Sequence, residues 1–433
     1  MVKKFLLKKF SNKPSVKVNK KLFTVRKNQI LKNSILDTLF ILIKKDEVII
    51  LNKLTNYKKK LDIDQKNINY LIKYRLNQPF KTIYSNLFIF PPYSKLIIEN
   101  DNLYIEILFP EKSASQINYK NAINYFDNYT KNNFSKKKNI NLSFSGGSDS
   151  LFLLSFFIEN KINVKLICHL MPGLEKKQIE LLKQIKKKYK IEYELHNNFN
   201  KKNKIEIIKK YTQEYCIPIL DPVMVNYQLM HFNKKKSIIV DGQNADSLFI
   251  GLPHQKLIKF YKRFNKLRFL FKVLNLFFQY RIEPKNNITR NLYRIKKALN
   301  SLSSNDWIDC FIHSLDLPKG ESDLKKIIIS SYKFYQDELL VISYIFLFYI
   351  IPQREFQKFS TSRNVFYLPF NNQKLIESVF CSNSNLIYGD NGKSFIFERV
   401  KSFFNIDLKG KTNPFYVKDQ NKNDLLLHSL NFI

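Results

Sequence analysis

Residues 145–150, Ser-Gly-Gly-Ser-Asp-Ser, place two adjacent glycines, three hydroxyls and one carboxylate within six positions. Ahead of them, residues 140–144 form a largely apolar run that predicts a buried strand, and Leu151, Phe152, Leu153 and Leu154 open an apolar helix. A strand, a Gly/Ser turn and a helix start together make an anion site. The glycines let the backbone approach the ligand, and the first helical N–H groups point at it. The G-x-x-x-x-G-K-[ST] spacing of a Walker loop is absent here. Asp149 suits a magnesium ion, since hard cations take carboxylate and phosphate oxygens. The plainer reading, a turn that merely joins strand to helix, leaves this concentration of glycine, hydroxyl and acid unexplained.

A second acid-bearing turn follows the apolar residues 238–240: Asp241, Gly242, Gln243, Asn244, Ala245, Asp246, Ser247, Leu248, Phe249, Ile250 and Gly251. Alone it is ordinary turn and N-cap chemistry. Paired with residues 145–150 it gains a sharper meaning. Two carboxylates, Asp149 and Asp246, from the ends of separate strands would hold magnesium against a bound phosphate group.

The elements that must position these turns read as an alternation of strand and helix over residues 139–252. Strands are expected at 140–144, 164–170, 191–195 and 238–240, with helices at 151–160, 175–189 and 205–211. That order predicts a parallel sheet with crossover helices, which binds ligands at the carboxyl ends of its strands. The fold class expected is therefore α/β: a parallel-sheet core at 111–254, a mostly helical C-terminal part at 255–433 and a small mixed α+β N-terminal domain at 1–110. In the N-terminal part, residues 41–54 and 87–108 are strand-like and 68–76 helical; a further helix is expected at 122–129. The apolar stripes at 267–280 and 337–351 read as core rather than as cofactor contacts.

The bulk composition narrows the partners. A chain of 433 residues suits two or three domains. The apolar run 339–351 is interrupted by Ser343 and is too short to cross a bilayer, and the N-terminus shows no secretory signal. Cys168, Cys216, Cys310 and Cys381 are scattered without metal-ligand spacing, which fits reduced thiols and a cytoplasmic location. The net charge of +37 comes mostly from lysine, which accompanies abundant Asn, Ile, Phe and Tyr and only nine glycines. That profile follows from AT-rich coding, and runs such as 186–188 and 234–236 read as solvated faces. Neither a membrane nor a nucleic acid is expected as a partner.

The pattern S-G-G-x-D-S resembles the pyrophosphate loop of ATP-dependent adenylating enzymes, which holds the β- and γ-phosphates as a departing unit. With G-x-x-A-D-S-x-F-x-G at Gly242, Ala245, Asp246, Ser247, Phe249 and Gly251, it resembles the synthetase domain of the asparagine synthetase family, of the adenine nucleotide alpha hydrolase-like (HUP-like) superfamily. That family usually reads G-x-G-A-D-E-x-F-x-G, so Asn244 stands for the second Gly and Ser247 for the Glu. Asp221-Pro222 and Tyr227-Gln228-Leu229 fall where the family has a substrate- and nucleotide-side helix. Tyr367-Leu368-Pro369-Phe370-Asn371-Asn372 resembles R-V-P-F-L-D, with Tyr367 for Arg, Asn372 for Asp and Val365 for a preceding Glu. Gly392-Lys393 and the residues up to Arg399 resemble G-K-x-x-L-R. Thr82 to Pro92 resembles the segment that ends the family's glutaminase domain, yet position two is Val2 where a nucleophilic Cys is needed. The N-terminal domain is thus expected to be shortened or replaced, without glutamine hydrolysis.

The resemblance implies a ligase using ATP and magnesium. Ser145, Gly146, Gly147, Ser148, Asp149, Ser150 and Gly242 would bind nucleotide, Asp149 and Asp246 would hold Mg2+, and Lys393 would offset charge at the α-phosphate. A small-molecule or peptide carboxylate would be adenylated, then attacked by an amine or by ammonia, the latter free or from a separate glutaminase. The changes at Val365, Tyr367 and Asn372 detach this expectation from aspartate. Two rival readings are a tRNA-modifying adenylating enzyme, which shares the first loop but not the second turn, and a catalytically degenerate synthetase-like subunit.

Overall fold

The computed structural model describes residues 4–11, 15–17, 23–26, 29–32, 39–45, 47–51, 61–110, 116–170, 175–196, 237–277, 287–318, 322–353, 365–390 and 392–406, with short pieces within 54–60, 205–218 and 426–431. Val2, Asp221-Pro222 and Tyr227-Gln228-Leu229 lie outside the described residues.

The apolar run near residue 41 becomes a hairpin. Strand β5 (Leu39–Lys44) turns at Lys45, which has φ 45°, and pairs antiparallel with β6 (Glu47–Leu51). With β2 (Ser15–Lys17) and β7 (Leu87–Phe90) they form a four-stranded sheet in the order β2-β6-β5-β7. A second sheet runs β1-β9-β8-β4-β3, from β1 (Lys4–Lys9), β3 (Phe23–Arg26), β4 (Gln29–Lys32), β8 (Ser94–Glu99) and β9 (Asn102–Ile107). Side chains of β5 and β6 alternate between two buried faces. Leu39, Ile41, Val48 and Ile50 join the main core with Leu96, Leu103 and Ile105 of the second sheet. Phe40, Leu42 and Ile49 pack with Leu71 of the helix Gln65–Tyr74. Asp64 caps that helix by accepting from the N–H groups of Lys66 and Asn67.

The central sheet is five-stranded and parallel, as the strand–helix alternation predicts. Its strands are β10 (Ile140–Ser143), β11 (Lys165–His169), β12 (Tyr193–His196), β13 (Ile238–Val240) and β14 (Val365–Tyr367), in the order β12-β11-β10-β13-β14. Leu142 of β10 pairs with Leu166 on one side and Val240 on the other. The chain moves outward from β10 through β11 to β12, then returns to the opposite side of β10 with β13. The crevice between β10 and β13 is the point where strand order reverses, the place where open α/β sheets bind ligands. The fifth strand comes from a segment expected to be helical and closes the sheet on the β13 side.

The helix Ser148–Glu159 is apolar around most of its circumference and is buried from Ser150 to Phe157, as a helix covered on all sides must be. The stripe at 337–351 is core, as expected: the helix Glu338–Ile345 runs on as a π-helical turn, Phe346–Ile350, and every residue from Leu339 to Ile350 is buried. It also anchors the N-terminal sheets, since the Tyr344 hydroxyl donates to the Leu108 carbonyl at 2.8 Å and Phe109 stacks on Phe334.

Where it is described, the stripe at 267–280 is not core: the helix Arg268–Phe277 contains no buried residue. Phe271 touches Phe260 of the helix Pro253–Arg263, but Phe269, Leu270, Leu276 and Phe277 face outward. Periodicity reports that a helix has an apolar face, not that another element covers it. Among the described residues no helix is long and apolar enough to cross a membrane.

Candidate functional site at the switch point of the parallel sheet

The loop at 145–150 leaves the carboxyl end of β10 and enters the helix Ser148–Glu159. Gly146 adopts φ +75°, where an L side chain is strained. Gly147 is the N-cap and supplies no side-chain cap, so the first turn of N–H groups is left for a ligand. The Ser145 hydroxyl accepts from the Gly147 N–H at 3.2 Å, and the Ser150 hydroxyl donates to the Gly147 carbonyl at 3.0 Å. These two bonds hold the loop curled around its own glycines.

The second turn leaves β13 beside the first. Asp241 accepts from the Gln243 N–H at 2.9 Å, which tightens the bend. Gly242 comes so close to Asp149 that an added Cβ would lie 3.3 Å from its Cβ. Asn244 has φ 72°, the left-handed region favoured by glycine and, among the other residues, best tolerated by Asn and Asp. Asn is therefore a conservative occupant of a position where the resembling motif has Gly. Its amide donates to the Asn371 side chain at 2.5 Å, tying the turn to the Pro369–Asn371 segment. Ser247, in the place of the motif's Glu, is fully buried.

Lys393 arrives from the C-terminal part at the start of the helix Ser394–Phe404. Gly392 has φ +82° and lies against the Ile250 carbonyl, which would be 2.4 Å from any Cβ placed there. The Lys393 N–H donates to the Phe249 carbonyl at 2.9 Å. The side chain crosses Gly251, where a Cβ would meet Lys393 Cε at 2.5 Å. Arg399, further along the helix, donates to the Ser155 hydroxyl at 3.0 Å and to Glu159, and lies over the Phe156 ring. The two helices that begin at Ser148 and Ser394 are thereby clamped together.

The three elements meet in one ionic cluster. Lys393 Nζ lies 2.7 and 2.8 Å from the two Asp149 oxygens and 2.5 Å from Asp246 Oδ1. Its side chain is only 8% exposed, against 25% for Asp149 and 55% for Asp246. Burial pushes the Asp149 carboxyl above its ordinary range; Lys393 opposes that shift and the Asp246 charge adds to it. Burial also works against the Lys393 charge, but the two carboxylates outweigh it and hold the ammonium above its ordinary value.

Of the residues singled out from the sequence, residues 145–150, Gly242, Asp246 and Lys393 gather here. Sequence reading missed Gln178. It is buried on the helix Glu175–Tyr189 and its amide donates to the Ser145 carbonyl at 3.0 Å, bracing the loop from behind. The available signal was its spacing: Gln178, Leu182 and Ile185 form one inward face, and a polar member of such a face needs a partner. Asn372 has a plainer task than its place in the resembling motif suggests. It caps the helix Gln373–Phe380 by accepting from the Lys374 and Leu375 N–H groups. Val365 is exposed at the edge of the sheet, and Tyr367 packs against Lys137, whose ammonium lies 4.1 Å from the ring centre.

The donor set suits a magnesium–phosphate ligand. Two carboxylates and a lysine lie beside an uncapped helix N-terminus, and Gly242 and Gly251 let the Asp149 and Lys393 side chains lie close against the second turn. No group of three or more His, Cys, Asp or Glu side chains able to cage a metal occurs among the described residues. Mg2+ does not require such a cage, since it commonly takes one or two carboxylates plus substrate phosphates. Burial pushes the Cys168 and Cys310 thiols up to about 12, which disfavours the thiolate form.

No protein-family model matches the chain, and no curated protein does.

Proposed function

We propose that the chain is an ATP- and magnesium-dependent ligase, similar to the asparagine synthetase family, that adenylates a carboxylate and passes the acyl group to an amine or ammonia. The observation that carries this reading is the meeting of Asp149, Asp246 and Lys393 beside the uncapped start of the helix Ser148–Glu159. In this reading the central sheet is a HUP-like nucleotide-binding domain. The N-terminal sheets stand in place of a glutaminase domain and do not hydrolyse glutamine, and the protein works in the cytoplasm.

The N–H groups of Ser148 to Ser150 and the loop hydroxyls would hold the departing pyrophosphate. Asp149 and Asp246 would hold Mg2+, which when bound screens the charge of that leaving group. Lys393, released from one or both carboxylates as they turn to the metal, would reach the phosphate at which charge builds. The substrate carboxylate oxygen attacks the α-phosphorus, the α–β bond breaks and pyrophosphate leaves. An amine then attacks the activated carbonyl and expels AMP. Gly251 matters because it gives the Lys393 side chain room to lie across the turn.

Isotope exchange between pyrophosphate and ATP, dependent on an added carboxylate, tests the reading across a panel of amino acids and peptides. Asp149→Ala is expected to abolish the exchange, and exchange that persists in that variant overturns the assignment of Asp149.

One observation favours a second reading. Lys393 fills the space between the two carboxylates, so the cluster is electrostatically satisfied without a metal. A degenerate, non-catalytic subunit would keep this arrangement as a structural ion pair. Calorimetric titration with Mg-ATP separates the two: measurable binding favours the ligase, and none favours the subunit.

A further inference from the structure

We propose that the helices Arg268–Phe277 and Asn287–Leu302 form a docking face for an anionic lipid surface, lying flat in its headgroup region. Phe269 and Phe277 are 78% and 74% exposed, and Leu270, Leu276, Leu292 and Ile295 are also exposed on the same pair of packed helices. Large apolar side chains are scattered singly over most protein surfaces; a group of this size on neighbouring helices marks an interaction surface.

Charge identifies the occupant. Residues 253–302 contain 13 Lys and Arg and a single acid, Glu283; Lys262 and Lys297 pair with Glu338 and Asp316 from outside the segment, which leaves the balance strongly positive. Lys266, Lys272 and Arg294 are exposed beside the apolar side chains. Phe and Leu combined with Lys and Arg on a short surface helix is the composition of an element that lies in a membrane interface. The apolar side chains enter the acyl boundary, and the basic ones meet anionic headgroups. A second copy of the chain fits poorly, since pairing this face with itself would oppose two strongly positive surfaces. Nucleic acid would satisfy the charges but offers little to Leu276, Leu292 and Ile295, which cannot stack on bases. That no helix among the described residues is long and apolar enough to span a membrane does not bear on an in-plane one.

Co-sedimentation of the full chain with phosphatidylcholine vesicles, with and without phosphatidylglycerol, tests the proposal without reading any nucleotide chemistry. The wild type is expected to pellet only with the anionic vesicles, and less so as salt rises. The triple variant Phe269→Ser, Leu276→Ser, Phe277→Ser should bind at least about tenfold more weakly with an unchanged thermal melt, because these side chains support no core. Lys266→Glu with Lys272→Glu should weaken binding and flatten its salt dependence. Wild-type protein that stays in the supernatant with anionic vesicles overturns the proposal. So does a triple variant that pellets as well as wild type, which would reduce the effect to net charge. Light scattering that shows an oligomer lost in the triple variant would assign the face to a second copy, and tRNA retention lost in that variant would assign it to nucleic acid.

Discussion

Lys393 and the lysines of residues 253–302 are the same residue type under opposite conditions. Lys393 is a buried cation gripped by two carboxylates, at the end of a helix clamped to its neighbour by Arg399. In the outer segment Lys262, Lys266 and Lys272 are exposed and Lys256, Lys259, Lys296 and Lys297 half-buried, and the segment itself contains one acid. In a chain with 73 basic residues, composition says little about any single lysine. Position decides whether the charge is spent on a specific partner at close range or on a field felt by any polyanion. The site gathers opposite charge around one buried ammonium, where the Asp149 contact is little screened; the outer face spreads like charge over solvent, where salt screens it.

That contrast makes the effects of substitution unequal. Gly392→Ala should be the most damaging, costing about 3 kcal/mol or more, because it adds both a left-handed penalty and a backbone collision with Ile250. Denaturant unfolding would measure it, and a loss below about 1 kcal/mol would show that the Lys393 turn is looser than described.

Lys393→Met should follow, at roughly 2–3 kcal/mol, since it leaves Asp149 and Asp246 facing each other without their cation. The value lies below that of a fully buried pair because Asp246 is more than half exposed. Adding Asp149→Asn to Lys393→Met should restore part of the loss in a double-mutant cycle. Additive losses would mean that the cluster is not a coupled unit.

Acid should disable the cluster before it unfolds the protein. The Asp149 carboxyl is raised above 3.8, so on acidification it takes up a proton earlier than an ordinary carboxylate. A raised carboxyl binds its proton more readily folded than unfolded. This group therefore adds stability as pH falls through its folded value and withdraws it as pH rises. Mg-ATP affinity should consequently fall at a pH where the melt is still intact, as calorimetry against pH would show. A loss of affinity that coincides with unfolding would refute it.

Smaller effects are expected away from the cluster. Asn372→Ala should cost about 1 kcal/mol through the lost cap, while Asn372→Asp should be nearly neutral. Neither should change pyrophosphate exchange, and a selective loss of exchange would move Asn372 from cap to substrate contact. Lys266→Ala, on the exposed face, should stay within about 0.5 kcal/mol of wild type.

The parts of the site most legible in sequence were those whose chemistry is local. Two glycines and a carboxylate between an apolar strand and an apolar helix carry their own structural consequence, and the loop at 145–150 sits where that pattern put it. The second turn was legible for the same reason, although the role of Asn244 became clear only with its left-handed backbone. Gln178 was not legible, because a glutamine on a lysine-rich helix looks like surface until its rotation about the helix axis is known. The helix Arg268–Phe277 misled in the opposite direction, since an apolar stripe is identical in sequence whether it is covered or bare. The fifth strand of the sheet, Val365–Tyr367, is three residues long, and its partner β13 is remote in sequence, so no local period marks it.

By itself, the sequence determined the alternation of strands and helices and the glycine-rich turn at 145–150, because each rests on near-neighbour chemistry; it offered Asp149 and Asp246 as candidates from their turns, and Lys393 only through the resemblance. Only the tertiary structure decided that Lys393 lies between the two carboxylates. Their separation along the chain carries no distance information, and the contact depends on a parallel sheet whose strand order reverses between β10 and β13. The same holds for the bare face at 268–277: which surfaces are left uncovered is settled by what packs elsewhere, a global property that no window of residues contains.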